Sequence, residues 1–340
     1  MIDTHDPVRP NLSVVICTYN RAPLLARLLD SLCRQTLPAH YFEVVVINDG
    51  SVDDTETVVA AYASRLPLQY GYQGNGGPAS ARNRGLFLCR GDILLFLDDD
   101  NIPAETLLEE HLKTHRQFPE RHYAVLGYMP LSPEISENPL MHYVTEIGQF
   151  LLSYPSLKHG DILDYTYFWS GSSSCKRSLL LEFGIFNPAF RFGCEDVELG
   201  YRLSRRGLRI VFNRNAISYV SMKMDFDAFC HRSERQGASS YIFSRLHPEP
   251  EIQQYTEMMD SEQNWAMIDG HHEAIIKSAR SLDIMANLKL AAGFDLTDED
   301  RSLLYRAYYA AFKACKVKGI MNEKTGMSNP LEQQLSTAGC

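Results

Sequence analysis

The chain has 340 residues, 45% hydrophobic and 22% charged, enough apolar material for a sizeable core in one large domain or two. A formal net charge of -9 argues against nucleic-acid binding by neutralisation of phosphates over the whole surface. Eight cysteines without a CxxC pair argue against a zinc site and a small secreted disulfide scaffold, and point to a reducing cytoplasm.

The opening "MIDTHDPVRP" carries acids and no apolar centre, so it does not read as a signal peptide, and no run is long and apolar enough to span a membrane. "LSVVIC", Leu12 to Cys17, reads as a buried strand ending in "TYNR". Leu25, Leu28, Leu29 and Leu32 then recur at helical spacing. "FEVVVI", Phe42 to Ile47, is a second strand, followed by "NDGSVDDT" and a helix over about 53–64. Leu68 to Gly71 reads as a short third strand. "GNGGPASARNRG" turns into a helix over Ala79 to Leu88, and Ile93 to Leu97 forms the next strand, ending in "DDDN". Further on, "YAVLGYMPLSP" reads as a strand, Pro130 to Asp164 as a long connection with a helical piece over Leu140 to Leu152, and Ser178 to Phe183 as a short helix. A helix from Glu195 to Arg206 stops at Gly207, and "LRIVF" follows as a strand.

This alternation predicts an α/β fold with a doubly wound, mostly parallel sheet over 11–222 and a helical C-terminal region over 223–320. Asp225 to Arg245 is one helix of that region. Another is capped by Thr297, with acids at 298–300 and an apolar face of Leu304, Tyr308, Ala311, Phe312 and Cys315. Residues 1–10 and 321–340 read as disordered ends.

Right-handed crossovers bring "TYNR", "NDGS" and "DDDN" to one edge of the sheet, where open α/β sheets bind ligands. Asp98 and Asp100 point the same way from an extended segment and can share a hard cation such as Mg²⁺ or Mn²⁺; the plain alternative is a solvated loop capping the next helix. Asp49 can accept from the N3–H of a uracil ring, with Gly50 permitting close approach, although Asn-Asp-Gly-Ser is also an ordinary turn. Arg82 and Arg84 can bind carboxylates or phosphates; the plain alternative for both is a solvated helix face, and Arg84 belongs there. Glu195 and Asp196 open a helix, where acids serve the dipole, but the pair can also divide base and binding duties. Tyr167 and Trp169 suit either a sugar face or the core. His271 and His272 read as surface residues. Arg301, Arg306 and three lysines surround the apolar stripe of the last helix; this suits peripheral contact with an anionic membrane, but packing on its own domain explains it as well.

Taken together, "SVVICTYNR", "EVVVINDGSVDDT", "GPASARNRG", "GDILLFLDDDN" and "GCEDVELGYRLSRRG" resemble the family 2 glycosyltransferases of GT-A fold over about residues 11–222. The resemblance implies transfer of a sugar from a nucleotide diphosphate donor, a UDP-sugar foremost, usually with inversion. It implies that Thr18, Tyr19, Asn20, Arg21 and Asp49 bind the nucleotide, and that Arg82 lies beside the donor phosphates. It makes Asp98, Asp99 and Asp100 a DxD segment, with Asp100 as metal ligand and Asp98 nearer the ribose. Asp196 becomes the general base with Glu195 beside it, and Gly171 to Ser174 flank the sugar pocket. Many relatives carry a histidine after the acidic helix as a further metal ligand; here "FNRNAISYVSMKM" has none, so His231 or water completes the sphere. Arg232 and Arg235 lie where some relatives have a basic segment near the diphosphate. The alternatives are a nucleotidyl- or phosphotransferase on a similar sheet, or an inactive sugar-nucleotide-binding scaffold. A glycan, lipid-linked saccharide, peptide or natural product remains open as the acceptor.

Overall fold

The computed structural model describes residues 10–326. Strands β1 (Leu12–Thr18), β2 (Phe42–Asn48), β3 (Leu68–Tyr72) and β4 (Ile93–Asp98) alternate with helices α1 (Ala22–Leu32), α2 (Thr55–Tyr62) and α3 (Pro78–Leu88). They pair in parallel in the order β3-β2-β1-β4. Their apolar runs are continuous because both faces are covered. Val15, Val45, Ile47, Leu94 and Phe96 enter one core. Val14, Ile16, Val44, Val46, Leu95 and Leu97 enter the other, against the leucine stripe of α1.

The chain continues through β5 (Asn101–Pro103), α4 (Leu107–Gln117), β6 (Tyr123–Tyr128), α5 (Pro139–His142), β7 (Ile162–Leu163) and β8 (Ser172–Lys176). Then come α6 (Arg177–Phe183), α7 (Glu195–Ser204) and β9 (Arg209–Val220). β8 inserts antiparallel between β4 and β6, and β9 runs parallel to β6 before pairing antiparallel with β5. The sheet is thus mostly parallel, with antiparallel strands at β8, β5 and β7. The strand expected over "LRIVF" is much longer, because it runs on past a bulge and its last residues, Ser218–Val220, pair with β5.

Helices α8 (Phe226–Leu246), α9 (Pro250–Tyr255), α10 (Ser261–Ile268), α11 (His272–Ala291) and α12 (Asp298–Thr325) form the C-terminal region. α8 and α12 pack through Phe226, Phe229, Tyr308 and Phe312 into a core that also takes up Leu140 and Val144. Thr297 caps α12 with a reciprocal capping box to Asp300, as its sequence position implies.

Three expectations need correction. The helical piece expected over 140–152 forms as α5, continues as a π-helix over Tyr143–Ile147, and stops there rather than reaching Leu152. α12 continues to Thr325, into residues expected to be disordered; its helical positions remain buried through Ile320, so packing on α8 extends it. The remaining end residues, 1–9 and 327–340, lie outside the described residues. His272 is buried, although His271 is exposed. Among the described residues no helix is long and apolar enough to cross a membrane.

Candidate active site

A cleft of about 830 Å³ opens beyond the carboxyl ends of β1, β2 and β4. Thr18, Tyr19, Arg21, Asp49 and the three aspartates all line it. The Asp49 amide donates to the Thr18 carbonyl at 2.9 Å, tying the first two strand ends together. Asp49 itself is buried, and its carboxylate accepts from the amides of Gly76 (2.9 Å) and Gly77 (2.8 Å) and from Gln73 Nε2 (2.7 Å). It therefore pins the glycine-rich turn, with acceptor capacity left for one more donor. Burial pushes its carboxyl above the usual range despite these bonds. The close approach at Gly50 is to the chain itself: a Cβ there would lie 2.8 Å from the Asn75 nitrogen.

Asn20 differs from the expectation. It is absent from the cleft lining; its side-chain oxygen accepts from Val52, and its amide donates to Ser51 Oγ. Asn20 thus clamps the first loop to the second. Arg21 faces the acids, 2.9 Å from Asp99 Oδ1 and 3.6 Å from Asp100 Oδ2.

The three aspartates also depart from the extended geometry expected. Asp98 ends β4, but Asp99 and Asp100 form a turn before β5. Asp98 meets Arg82 at 3.1 Å and remains half-exposed. Asp99 is buried against Arg21. The Asp100 carbonyl accepts from the Ser221 amide and hydroxyl, which fixes the turn against the end of β9. Burial, then the neighbouring Asp98 charge, pushes the Asp100 carboxyl up to about 7. Two carboxylates only partly offset by Arg82 and Arg21 are a hard-oxygen donor set suited to Mg²⁺ or Mn²⁺. Gly171 leaves room for it: a Cβ there would sit 2.7 Å from Asp98 Oδ2. Among the described residues no third His, Cys, Asp or Glu completes a metal-binding group. His231 in particular lies outside this cleft, in a groove on another face of α8 with Asp227 and Glu234. A divalent cation here would find two carboxylates as protein ligands, a number that would leave positions for phosphate oxygens and water.

Arg82 is the hub between the acid corner and α7. Its Nη1 donates to Glu195 Oε1 at 2.7 Å while Nη2 reaches Asp98. Glu195 is buried, and desolvation followed by the Asp196 charge raises its carboxyl despite Arg82. Asp196 is more open. Its Oδ2 accepts from the Ser170 amide (3.1 Å) and hydroxyl (3.3 Å), and Oδ1 from the Val197 amide (2.8 Å). Arg84 is exposed, as expected, while Tyr167 and Trp169 both line the cleft and pack against the core. Of the small-residue segment, Gly171 reaches the cleft; Ser172, Ser173 and Ser174 are buried in β8.

The outer wall was not legible in the sequence. Gln149 to Ser153, Tyr255, Glu257, Lys313 and Lys316 line the cleft opposite the sheet. Glu257 is held by Lys313 (2.7 Å) and Lys316 (2.9 Å). Among the described residues, four non-glycine positions have φ above zero: Asn20, Gln149, Cys194 and Glu257. The last three line this cleft, and such strain persists where surroundings impose it, often at working sites. Arg191 and Arg232 join the wall, with Arg232 and Arg235 both over the Phe192 ring. A basic pattern on α8 was visible in the sequence; its convergence with α12 was not.

The curled, mostly parallel sheet with its cleft at the strand ends is the GT-A type of fold found in solved glycosyltransferases. Residues 13–174 match the family model described as Glycosyl transferase family 2. The validoxylamine A glucosyltransferase of Streptomyces hygroscopicus subsp. jinggangensis is 35% identical over 230 residues, covering 61% of this chain and 54% of the relative. The chain thus spans about half the length of that relative. Among solved structures, the mannosyltransferase PcManGT from Pyrobaculum calidifontis, in complex with GDP-Man and Mn2+, gives a TM-score of 0.61 at 21% identity, covering 94% of this chain and 89% of that one. S. aureus TarS 1-349 in complex with UDP-GlcNAc gives 0.54 at 17% identity, covering 93% and 92%. Both show likeness of fold.

Proposed function

We propose that the chain is an inverting glycosyltransferase that moves a sugar from a nucleotide diphosphate donor, a UDP-sugar, to an acceptor hydroxyl with the help of Mn²⁺ or Mg²⁺. The observation that carries the reading is the gathering of Asp49, Asp98, Asp100, Arg82 and Asp196, distant in sequence, around one cleft. The relatives' names support a sugar transfer, and two related folds were solved with nucleotide sugars.

On this reading Asp49 offers its remaining acceptor capacity to the base, and Thr18 and Tyr19 flank it. Asp98 and Asp100 would hold the cation, which neutralises charge growing on the leaving diphosphate. Arg82 is already engaged by Asp98 and Glu195, so it positions the acid corner relative to α7. Arg191 and Arg232 then face the phosphates from the outer wall. Asp196, aimed by Ser170, accepts the acceptor hydroxyl proton as attack proceeds, help that typically contributes about 10²–10⁴-fold. The wall of Tyr255, Glu257 and α12 shapes the acceptor site. This gives residues 11–222 the donor chemistry and 223–320 the acceptor contacts.

The test is product analysis with UDP-sugars and Mn²⁺ over a panel of polyhydroxylated acceptors, beginning with validoxylamine A. Release of UDP with an inverted anomeric centre by proton NMR is expected. Release of pyrophosphate would transfer the assignment to a nucleotidyltransferase. Nucleotide binding without turnover on any acceptor would favour a scaffold.

A further inference from the structure

Away from the cleft, α8 and α12 cross with very little space between their backbones. A Cβ on Gly237 would lie 2.0 Å from the Lys316 carbonyl oxygen, and one on Gly319 1.8 Å from that of Glu234. Only glycine permits this approach. On the other side of the crossing, the Phe229 and Phe312 rings pack with centroids 4.6 Å apart. Between these two contacts sit Cys230 on α8 and Cys315 on α12.

Both cysteines are free thiols, both are buried, and both belong to the same apolar cluster. Both also line an open groove on the outer face, separate from the cleft, with Asp227, His272 and Arg280 around it. The neighbouring Cys315 thiol, and after it burial, pushes the Cys230 thiol above its usual range. A disulfide needs Cα atoms about 4.4–6.8 Å apart, closer than the roughly 8–10 Å axes of ordinary packed helices allow without facing positions. The glycine contacts at Gly237 and Gly319, one to two turns further along the two helices, bring the backbones closer than ordinary packing does. A metal site is the competing use of two thiols near a histidine, but no group of three metal-binding side chains forms among the described residues.

We propose that Cys230 and Cys315 are a redox-active dithiol, converted by a peroxide entering the outer groove into a disulfide that staples α8 to α12. One thiolate attacks a peroxide oxygen and breaks the O–O bond, giving a sulfenic acid and releasing hydroxide, which takes up the thiol proton to leave as water. The second sulfur displaces the sulfenic oxygen as a second water, and the S–S bond forms. Two thiols lose two hydrogens and the peroxide is reduced to two waters. A raised thiol slows the first step at neutral pH and speeds it as pH rises. α8 also carries Arg232, and α12 carries Lys313 and Lys316, all on the cleft wall, so the staple fixes their spacing. The assignment stands independently of the donor reading.

The test treats the native full chain with hydrogen peroxide at neutral and mildly alkaline pH, blocks remaining thiols, and maps peptides by mass spectrometry. The expected result is a Cys230–Cys315 cross-linked peptide that forms faster at the higher pH and is reversed by dithiothreitol. It is absent in Cys315→Ser, and oxidation raises the melting temperature of the wild type but not of that variant. Recovery of both cysteines as blocked thiols, or as separate sulfinic acids without a cross-link, overturns the proposal. The peptide map of the wild type decides this even where a serine variant folds poorly.

Discussion

Glu195 and Asp196 are chemically alike and adjacent, yet their surroundings separate them. Glu195 is buried against Arg82, while Asp196 is held by Ser170 and lies open to the cleft. A base must meet substrate, so the proposed proton acceptor is Asp196. Asp196→Asn keeps an oxygen for the Ser170 amide and should fold normally. Steady-state kinetics should then show kcat down about 10²–10⁴-fold, with donor affinity and melting temperature near wild type. A wild-type kcat would remove Asp196 from this role. The pairing of an open acid with a buried one was only half legible in the sequence. Two acids at a helix start announce a cap or a site equally well, and the partner that decides, Arg82, is far away along the chain. The same limit misplaced His231 and Asn20. A residue type suggests a ligand, but which helix face it occupies, and which loop claims its hydrogen bonds, depends on tertiary packing.

At the scale of elements, the parallel core was readable because continuous apolar runs of branched residues fit strands covered on both faces. β8 was not, since "SSSCK" offers neither alternation nor β-branched bulk. Its place in the sheet comes from α4. His111 and His115 both lie 2.8 Å from Ser174 Oγ, and Lys176 bonds His115 Nδ1 and the Phe118 carbonyl. Burial lowers His111 to about 3 and Lys176 to about 8. Folded Lys176 thus gives up its proton before the unfolded chain does, near 10.5. Between those values the unfolded state binds more protons, so this group's contribution to stability rises with pH. Lys176→Met should be destabilised at pH 7 by about 1–3 kcal/mol through the abandoned carbonyls. Its deficit should then widen toward pH 10 by less than about 1 kcal/mol, after discounting for partial exposure. Denaturant unfolding at the two pH values checks this; a deficit that shrinks with pH contradicts it.

For the molecule as a whole, the net charge of -9 conceals an ordered division. The cleft floor holds six acids, Asp49, Asp98, Asp99, Asp100, Glu195 and Asp196, against Arg21 and Arg82, while Arg191, Arg232, Lys313 and Lys316 outnumber Glu257 on the wall. A diphosphate bridging these surfaces needs a cation on the acidic side and basic side chains on the other. Part of the acidic half was legible, since Asp49, Asp98 and Asp100 lie at strand ends that the topology sends to one edge, whereas Glu195 and Asp196 open α7. The basic half was not, because it depends on how α8 and α12 fold back over that edge. The most direct measurement is calorimetric titration of UDP into the wild type and into Asp98→Asn/Asp100→Asn, with and without Mn²⁺. The account predicts that Mn²⁺ tightens wild-type binding by about tenfold or more, a gain of at least roughly 1.4 kcal/mol, and that the double variant loses this gain while remaining folded. Equal UDP affinity with and without Mn²⁺ in the wild type, or an undiminished gain in the variant, would contradict it.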